Sequence, residues 1–91
     1  MWNEFRASAV FEPDLRAIAR TATEHWTTAV ADSIARGVAD GGIRADVDPH
    51  PTAERLTALV EGLSNRWLTG ALTTTAAHAH VDAALAAECP P

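Results

Sequence analysis

Residues 13–42 read P-D-L-R-A-I-A-R-T-A-T-E-H-W-T-T-A-V-A-D-S-I-A-R-G-V-A-D-G-G and decide the fold class of this chain. Pro13 suits the first position of a helix, and Asp14 suits the first turn, where a carboxylate meets the positive end of the helix dipole. Apolar residues then recur every three or four positions, which is typical of one helix face: Leu15, Ile18, Ala19, Ala22, Trp26, Ala29, Val30, Ile34 and Val38. The glycines at 41–42 favour a helix end, since glycine adopts the left-handed conformation without a Cβ clash. The pattern predicts a helix over 13–39.

Three further segments have helical periodicity, and none has the alternation of a strand. These segments cover residues 2–10, 49–69 and 74–87. Asp48 before Pro49 predicts an N-cap followed by the first helical residue, and the threonines at 73–75 predict a second cap. We therefore expect an all-α fold, a small bundle of about four helices that forms one domain over 1–91.

Gly62 interrupts the apolar face of the helix over 49–69. A glycine inside a helix costs about 1 kcal/mol relative to alanine. We interpret it as a place where another backbone comes close. The helix over 74–87 has a thin, alanine-rich face, so it needs a large partner surface.

The composition excludes several kinds of function. The net charge is −5, with seven arginines, no lysine and twelve acidic residues. A chain that neutralises several phosphates needs clustered Lys and Arg, so this chain by itself is not expected to bind nucleic acid. Cys89 is the single cysteine and lies before Pro90 and Pro91, in a tail that we expect to be loose. Because no internal disulfide can form, a partner subunit is the expected source of additional buried area.

The sequence contains no run of about 18 apolar residues, so no membrane span is predicted. The first residues lack the positive and apolar regions of a signal peptide. These observations predict a cytoplasmic protein.

No group of residues predicts catalysis or metal binding. His78 and His80 are two apart on a predicted helix, so their side chains point in different directions and cannot share one ion. Cys89 has no identifiable base, and Glu61 has no second acid spaced to work with it. We therefore predict no enzymatic activity, no cofactor and no metal site. His25, at the edge of the first apolar stripe, is either a boundary residue or a ligand contact.

The aromatic residues have more than one interpretation. Phe11 and Trp26 are either core residues or walls of a cavity between helices, where apolar ligands bind. Trp67 suits a subunit interface as well as it suits a core, because interfaces are rich in tryptophan.

Residues 42–63 read G-I-R-A-D-V-D-P-H-P-T-A-E-R-L-T-A-L-V-E-G-L and resemble the C-terminal region of TetR-family transcriptional regulators, in particular the BetI-like subgroup. In that region a glycine and a short turn precede an acidic-x-acidic-Pro pair and an amphipathic helix, which ends in Asp-Gly-Leu. Glu61 stands where the aspartate is usual. Trp2, Phe5 and the Pro13–Arg16 opening of the long helix are similar to that family as well.

The resemblance implies the effector-sensing and homodimerisation domain of a transcriptional regulator that acts as a repressor. The implied effector is a small apolar or amphipathic molecule, and the implied pocket residues are Phe5, Phe11, Trp26 and Val30. The family pairs its last two helices with those of a second copy, here 49–69 and 74–87. The implied interface residues are Leu56, Leu59, Gly62, Leu63, Trp67, Val81 and Leu85.

The family begins with a helix-turn-helix head that enters the major groove. No such head is present in these 91 residues, so we expect the sequence to be a fragment, the product of a misassigned start or a free-standing remnant. The alternative function is a small helical oligomerisation module without a ligand.

Overall fold

A computed structural model describes residues 13–91. It contains three helices, namely α1 (Pro13–Asp40), α2 (Pro49–Leu68) and α3 (Thr74–Glu88). Each ends within one residue of its predicted end. The predicted helix over 2–10 lies outside the described residues. The predicted all-α fold class is confirmed, because residues 13–91 contain helices and no strand.

The seam between α1 and α2 is the centre of the core. Its buried apolar residues are Ala31, Ile34, Ala53 and Leu56, and Ala53 is fully enclosed. Beside them Thr27 of α1 and Thr57 of α2 are buried, with their Oγ1 atoms 3.4 Å apart. The Thr57 hydroxyl donates to the Ala53 carbonyl at 2.9 Å. Because each hydroxyl has one proton, Thr27 supplies the proton between the two threonines.

The buried face of α1 differs from the predicted apolar stripe. The prediction placed Thr27 outside the stripe, and this was wrong. Thr27 and Ala31 are buried, whereas Trp26 is 37% exposed and Ile18 is 64% exposed. Small side chains let two helix backbones come close, and a tryptophan would hold them apart. Close packing against the enclosed Ala53 is therefore consistent with Trp26 and Ile18 lying outside the seam, whereas Ile34 is buried in it.

The three helices form an open layer and not a closed bundle. Helix α2 packs against both neighbours, but α1 and α3 make no backbone contact with each other. The radius of gyration is 15.2 Å, above the value of about 12 Å for a compact chain of this length. Helix α3 has no fully buried residue. Apolar surface on this layer therefore remains uncovered within the described part of the chain.

The helix ends follow local chemistry. Gly70, with φ +80°, ends α2, and the Ala71 and Gly70 amides donate to the Arg66 and Trp67 carbonyls. This pattern is a Schellman motif. At the start of α3 the Thr73 hydroxyl accepts from the Ala76 amide at 3.1 Å, so the predicted threonine cap is present.

The predicted cap at Asp48 is only partly correct. Asp48 occupies the N-cap position of α2, but its side chain makes no capping hydrogen bond. An N-cap side chain accepts from the second or third helical amide. The third residue here is Pro51, which has no N–H, so one of these two donors is missing.

The turn after α1 depends on two glycines with different roles. Gly41 has φ +84°, and its amide donates to the Val38 carbonyl at 3.2 Å. Gly37 instead makes room for Ile43, whose amide donates to the Gly37 carbonyl at 3.0 Å. A Cβ atom at position 37 would lie 2.9 Å from Cγ1 of Ile43. Ile43 in turn packs against the core, so Gly37 fixes where the link leaves α1.

No helix of residues 13–91 is long and apolar enough to cross a membrane.

We expect Gly37→Ala to lower the free energy of unfolding by about 1 kcal/mol, because overpacking costs roughly 1–3 kcal/mol and alanine returns up to about 1 kcal/mol of helix propensity. Urea unfolding followed by circular dichroism measures this change. The matched control is the double variant Gly37→Ala/Ile43→Ala, in which the clash has no partner. The loss of unfolding free energy in the double variant should be smaller than the sum of the losses in the two single variants. Additive losses would contradict the proposed contact.

Candidate functional site

An apolar groove of about 470 Å³ lies over the seam between α1 and α2. Helix α1 supplies one wall, Leu56 the floor, and Leu85 and Cys89 the opposite side. Further lining residues come from α1 and the link after it: Trp26, Ala29, Val30, Ser33, Ile34 and Ile43. Trp26, Ser33 and Cys89 have the only polar side-chain atoms among the lining residues. A volume of this size, with mostly apolar walls, suits a small apolar molecule.

Trp26 and Leu85 define the mouth of this groove. Trp26 is 37% exposed and Leu85 is 45% exposed. Both side chains therefore present apolar surface to the opening. Ile34 and Leu56 at its base are at most 8% exposed, so the base belongs to the core and the mouth does not.

The residues at the end of α3 and directly after it are held against the rest of the chain. The expected loose tail at Cys89 is wrong, since Cys89 packs against the core and the Pro90 carbonyl accepts from the Arg44 amide at 2.8 Å. The Glu88 carboxylate accepts from Arg55 of α2, at 3.0 Å from Nε to each oxygen and 2.8 Å from Nη2 to Oε1. Backbone and side-chain bonds thus hold the same segment from two sides.

This environment sets the ionisation of two groups. The hydrogen bonds from Arg55 hold the pKa of Glu88 below its ordinary value of 4.5. Burial raises the pKa of the Cys89 thiol above its ordinary value of 9.0, and the negative charge of Glu88 acts in the same direction. The thiolate is the reactive form of cysteine, so Cys89 is a weak nucleophile at neutral pH.

A second, smaller groove of about 270 Å³ runs between α2 and α3. Its lining residues are Val60, Leu63, Ser64, Trp67, Thr74, Ala77, His78 and Val81. The Trp67 indole N–H donates to Oγ1 of Thr74 at 2.8 Å, which fixes the ring beside the start of α3. Trp67 is still 49% exposed. We call this surface the α2–α3 face.

Gly62 is exposed, and a Cβ atom placed there would have no neighbour within 4 Å. Within the described residues no backbone approaches it. The close approach that this glycine predicts is therefore not made inside the described part of the chain. The surface beside it is open to another molecule.

The predicted site residues lie on different surfaces of the chain. Trp26 and Val30 line the groove over the seam, whereas Phe5 and Phe11 lie outside the described residues. Of the predicted interface residues, Leu63, Trp67 and Val81 line the α2–α3 groove, Leu59 is half-buried and Gly62 is exposed. Leu56 and Leu63 are buried within the chain, so little of their surface is accessible to a second copy. Leu85 lies in the groove with Trp26, on the surface predicted for the effector.

Among the groove residues that the sequence analysis did not assign to a pocket, three come from outside α1 and α2. Ile43, Leu85 and Cys89 come from the link, from α3 and from the end of the chain. Periodicity describes faces within one helix and cannot show which helices meet across a groove. The one available signal was apolar Ile43 after the double glycine, where a polar residue is usual.

The histidines are spread over separate surfaces. His78 lines the α2–α3 groove beside Trp67, and His25 lies on an open part of α1 near Ile18. His50 lies 3.8 Å from Glu54 in the next turn of α2. Residues 13–91 contain no group of three or more His, Cys, Asp or Glu side chains that could hold a metal ion.

An open layer of helices with an apolar groove and a separate exposed face defines an all-helical packing domain. The comparisons with known proteins agree with this class. Residues 1–90 match the family model of the BetI-type transcriptional repressor, C-terminal domain. The chain belongs to this family, the C-terminal domains of BetI-type regulators within the TetR family.

One solved structure extends the comparison. The crystal structure of a Rhodococcus sp. protein, described as a TetR-family transcriptional regulator, superposes with a TM-score of 0.86 at 45% sequence identity. The match covers 96% of this chain and 46% of the Rhodococcus chain, so this chain spans about half the length of that relative. A search of curated proteins gives no match.

The ion pair between Arg55 and Glu88 gives a test by pH. A carboxyl whose pKa is lowered in the folded state stabilises that state above its unfolded pKa, and this stability is lost as the pH falls through the folded pKa. We expect Glu88→Gln to lower the melting temperature at pH 7, and this difference from the wild type to shrink below pH 4.5, the ordinary value for the group.

Thermal unfolding monitored by circular dichroism between pH 7 and pH 3 measures the effect. Glu61→Gln is the matched control, because Glu61 forms no ion pair with another residue of 13–91. A difference for Glu88→Gln that stays constant across this range would contradict the ion pair as its cause.

Proposed function

We propose that this chain is the effector-sensing and homodimerisation domain of a TetR-like transcriptional repressor, and that it has no catalytic role. The groove over the α1–α2 seam is the proposed effector site, and the α2–α3 face is the proposed dimer interface. A cytoplasmic location follows from the proposed role, because the regulator must reach DNA. DNA binding is assigned to parts of a regulator other than residues 13–91.

The observation that carries this proposal is the open layer of helices. A domain normally buries the apolar face of each helix against another element. Here α3 has no fully buried residue, and large apolar side chains remain exposed on all three helices. Two separate apolar surfaces suit two separate occupants, one a small molecule and the other a second copy of the chain.

The α2–α3 face suits the second copy. It has a half-exposed tryptophan, a type of residue enriched at interfaces. Trp67 is held by the hydrogen bond to Thr74, so little of its freedom would be lost on binding. Gly62 lies five residues before Trp67, which is about 140° around the helix, so it is on another side of the same helix.

The groove suits a small apolar or amphipathic molecule. Its volume of about 470 Å³ lies within the usual range of roughly 300–1,000 Å³ for ligand sites. Trp26 and Val30 offer apolar contact from α1, and Leu85 faces them from α3. No buried charged side chain lies at its base, so a strongly ionic effector would be poorly matched.

The first test is the oligomeric state. We expect light scattering at several concentrations to give twice the chain mass of 9.6 kDa for the wild type. Trp67→Glu places a charge on the proposed interface and should return the mass to that of one chain. Trp67 is half exposed, so the substitution disturbs the interface more than the fold.

Ile18→Glu is the matched control for this substitution. Ile18 is 64% exposed and lies on α1, away from the α2–α3 face. This variant should keep the mass of the wild type. A Trp67→Glu protein that stays dimeric would place the interface elsewhere, and a monomeric wild type would remove the dimerisation role.

The second test concerns the effector. A ligand at 100 times its dissociation constant stabilises the native state by about 2.7 kcal/mol, so binding raises the melting temperature. We expect members of a library of small apolar and amphipathic compounds to produce such a rise in the wild type. The rise should be lost in Trp26→Ala and kept in Ile18→Ala, which removes a comparable exposed side chain from the same helix.

If no compound shifts the melting temperature of a folded dimer, the sensor role fails. The chain would then act as an oligomerisation module without a ligand. If the shift survives Trp26→Ala, a ligand binds but not in this groove.

A further inference from the structure

Among the residues that line the α2–α3 groove, one is a histidine and none is an acid or an arginine. His78 of α3 lines this groove together with Trp67 of α2 and Val81 of α3. The remaining lining residues are apolar or carry a hydroxyl group. His78 is exposed in the single chain, so water is available to its imidazole in either protonation state.

No carboxylate within residues 13–91 forms an ion pair with His78. Asp82 lies four residues further along α3, which is the same side of the helix, but it is not paired with the imidazole. Glu61 and Arg66 of α2 are exposed, and neither lines the groove. Within the groove itself, a positive charge on His78 therefore has no partner.

A second copy on the α2–α3 face would remove the water from this imidazole. In a two-fold symmetric dimer the same surface of both copies meets, so each copy brings the same lining residues. None of these residues is acidic, so the second copy offers no countercharge from its groove. Burial of an unpaired charge is costly and favours the neutral imidazole. Proton binding and association therefore compete at His78.

We propose that His78 makes dimerisation depend on pH, because its protonation opposes the association of two copies through the α2–α3 face. This inference rests on the proposed function, which supplies the second copy. Imidazole is the side chain that changes charge between about pH 5 and pH 8, so the response falls within that interval.

The overall charge of the chain acts in the opposite direction. The formal net charge is −5 with the four histidines neutral. Protonation of histidines brings this charge closer to zero, which weakens the repulsion between two copies. A dimer that becomes weaker on acidification therefore indicates a local effect at the interface and not an effect of net charge.

Sedimentation equilibrium at pH 8, pH 6.5 and pH 5.5 measures the dissociation constant of the dimer. We expect the wild-type dimer to be about ten- to hundredfold weaker at pH 5.5 than at pH 8. The reason is that an imidazole that must lose its proton costs up to about tenfold for each pH unit below about 6.5, and a dimer contains two. Circular dichroism on the same samples checks that the chain remains folded.

His78→Gln removes the charge but keeps a polar side chain, and its dissociation constant should be nearly the same at pH 8 and pH 5.5. His80→Gln is the matched control, because His80 is exposed and does not line the groove. This control should keep the wild-type response to pH. His78→Leu is the second variant, since its side chain needs no hydrogen-bond partner when buried, and it should dimerise equally at both pH values.

The outcomes separate this inference from the proposed function. A wild-type dimer that is not weaker at pH 5.5, or a response that persists in both His78 variants, would overturn the role of His78 and leave the interface in place. A wild-type chain that is monomeric at pH 8 rejects the proposed dimerisation, and the inference fails with it.

Discussion

The close packing of α1 on α2 is the contact on which the rest of this structure depends. It is made by small residues, with Ala53 fully enclosed and the hydroxyls of Thr27 and Thr57 hydrogen-bonded beside it. A hydroxyl placed in a core needs a partner, and here each threonine provides one for the other. Because small side chains fill much of this seam, the bulky Trp26 of α1 lies outside it. That displacement places Trp26 at the mouth of a groove and leaves Ile18 exposed.

The open layer follows from how little this seam encloses. The buried apolar cluster at the seam consists of four residues of the described chain, and a core of this size makes a small domain marginally stable. A small helical domain without disulfides or a metal commonly gains that stability from a partner subunit. The exposed Trp67, the uncovered Gly62 and the absence of a fully buried residue in α3 are the expected surface of such a chain. The small buried core and the exposed apolar faces of the three helices have the same physical origin, because the seam encloses few side chains.

The sequence was sufficient for the helices and for the family, because periodicity, caps and glycine stops act locally. It was insufficient for the face that α1 buries, since alanine and threonine occur both in cores and on surfaces. The same limit explains Leu85, which was assigned to the dimer interface and lies in the groove with Trp26. Cys89 was expected in a loose tail because sequence cannot show that Arg44 and Arg55 hold the residues around it. Contacts between distant residues depend on how helices cross, and periodicity does not contain that information.

Helix α3 connects the two surfaces that the proposed function requires. Leu85 lines the groove, and Val81, one turn earlier, lines the α2–α3 groove. One helical turn is about 5.4 Å, so a helix that shifts as a rigid body moves both residues together. A ligand changes an equilibrium only if it binds one arrangement better than the other. A ligand that contacts Leu85 meets this condition when α3 can take two positions. Helix α3 is therefore the element through which occupancy of the groove would reach the proposed interface.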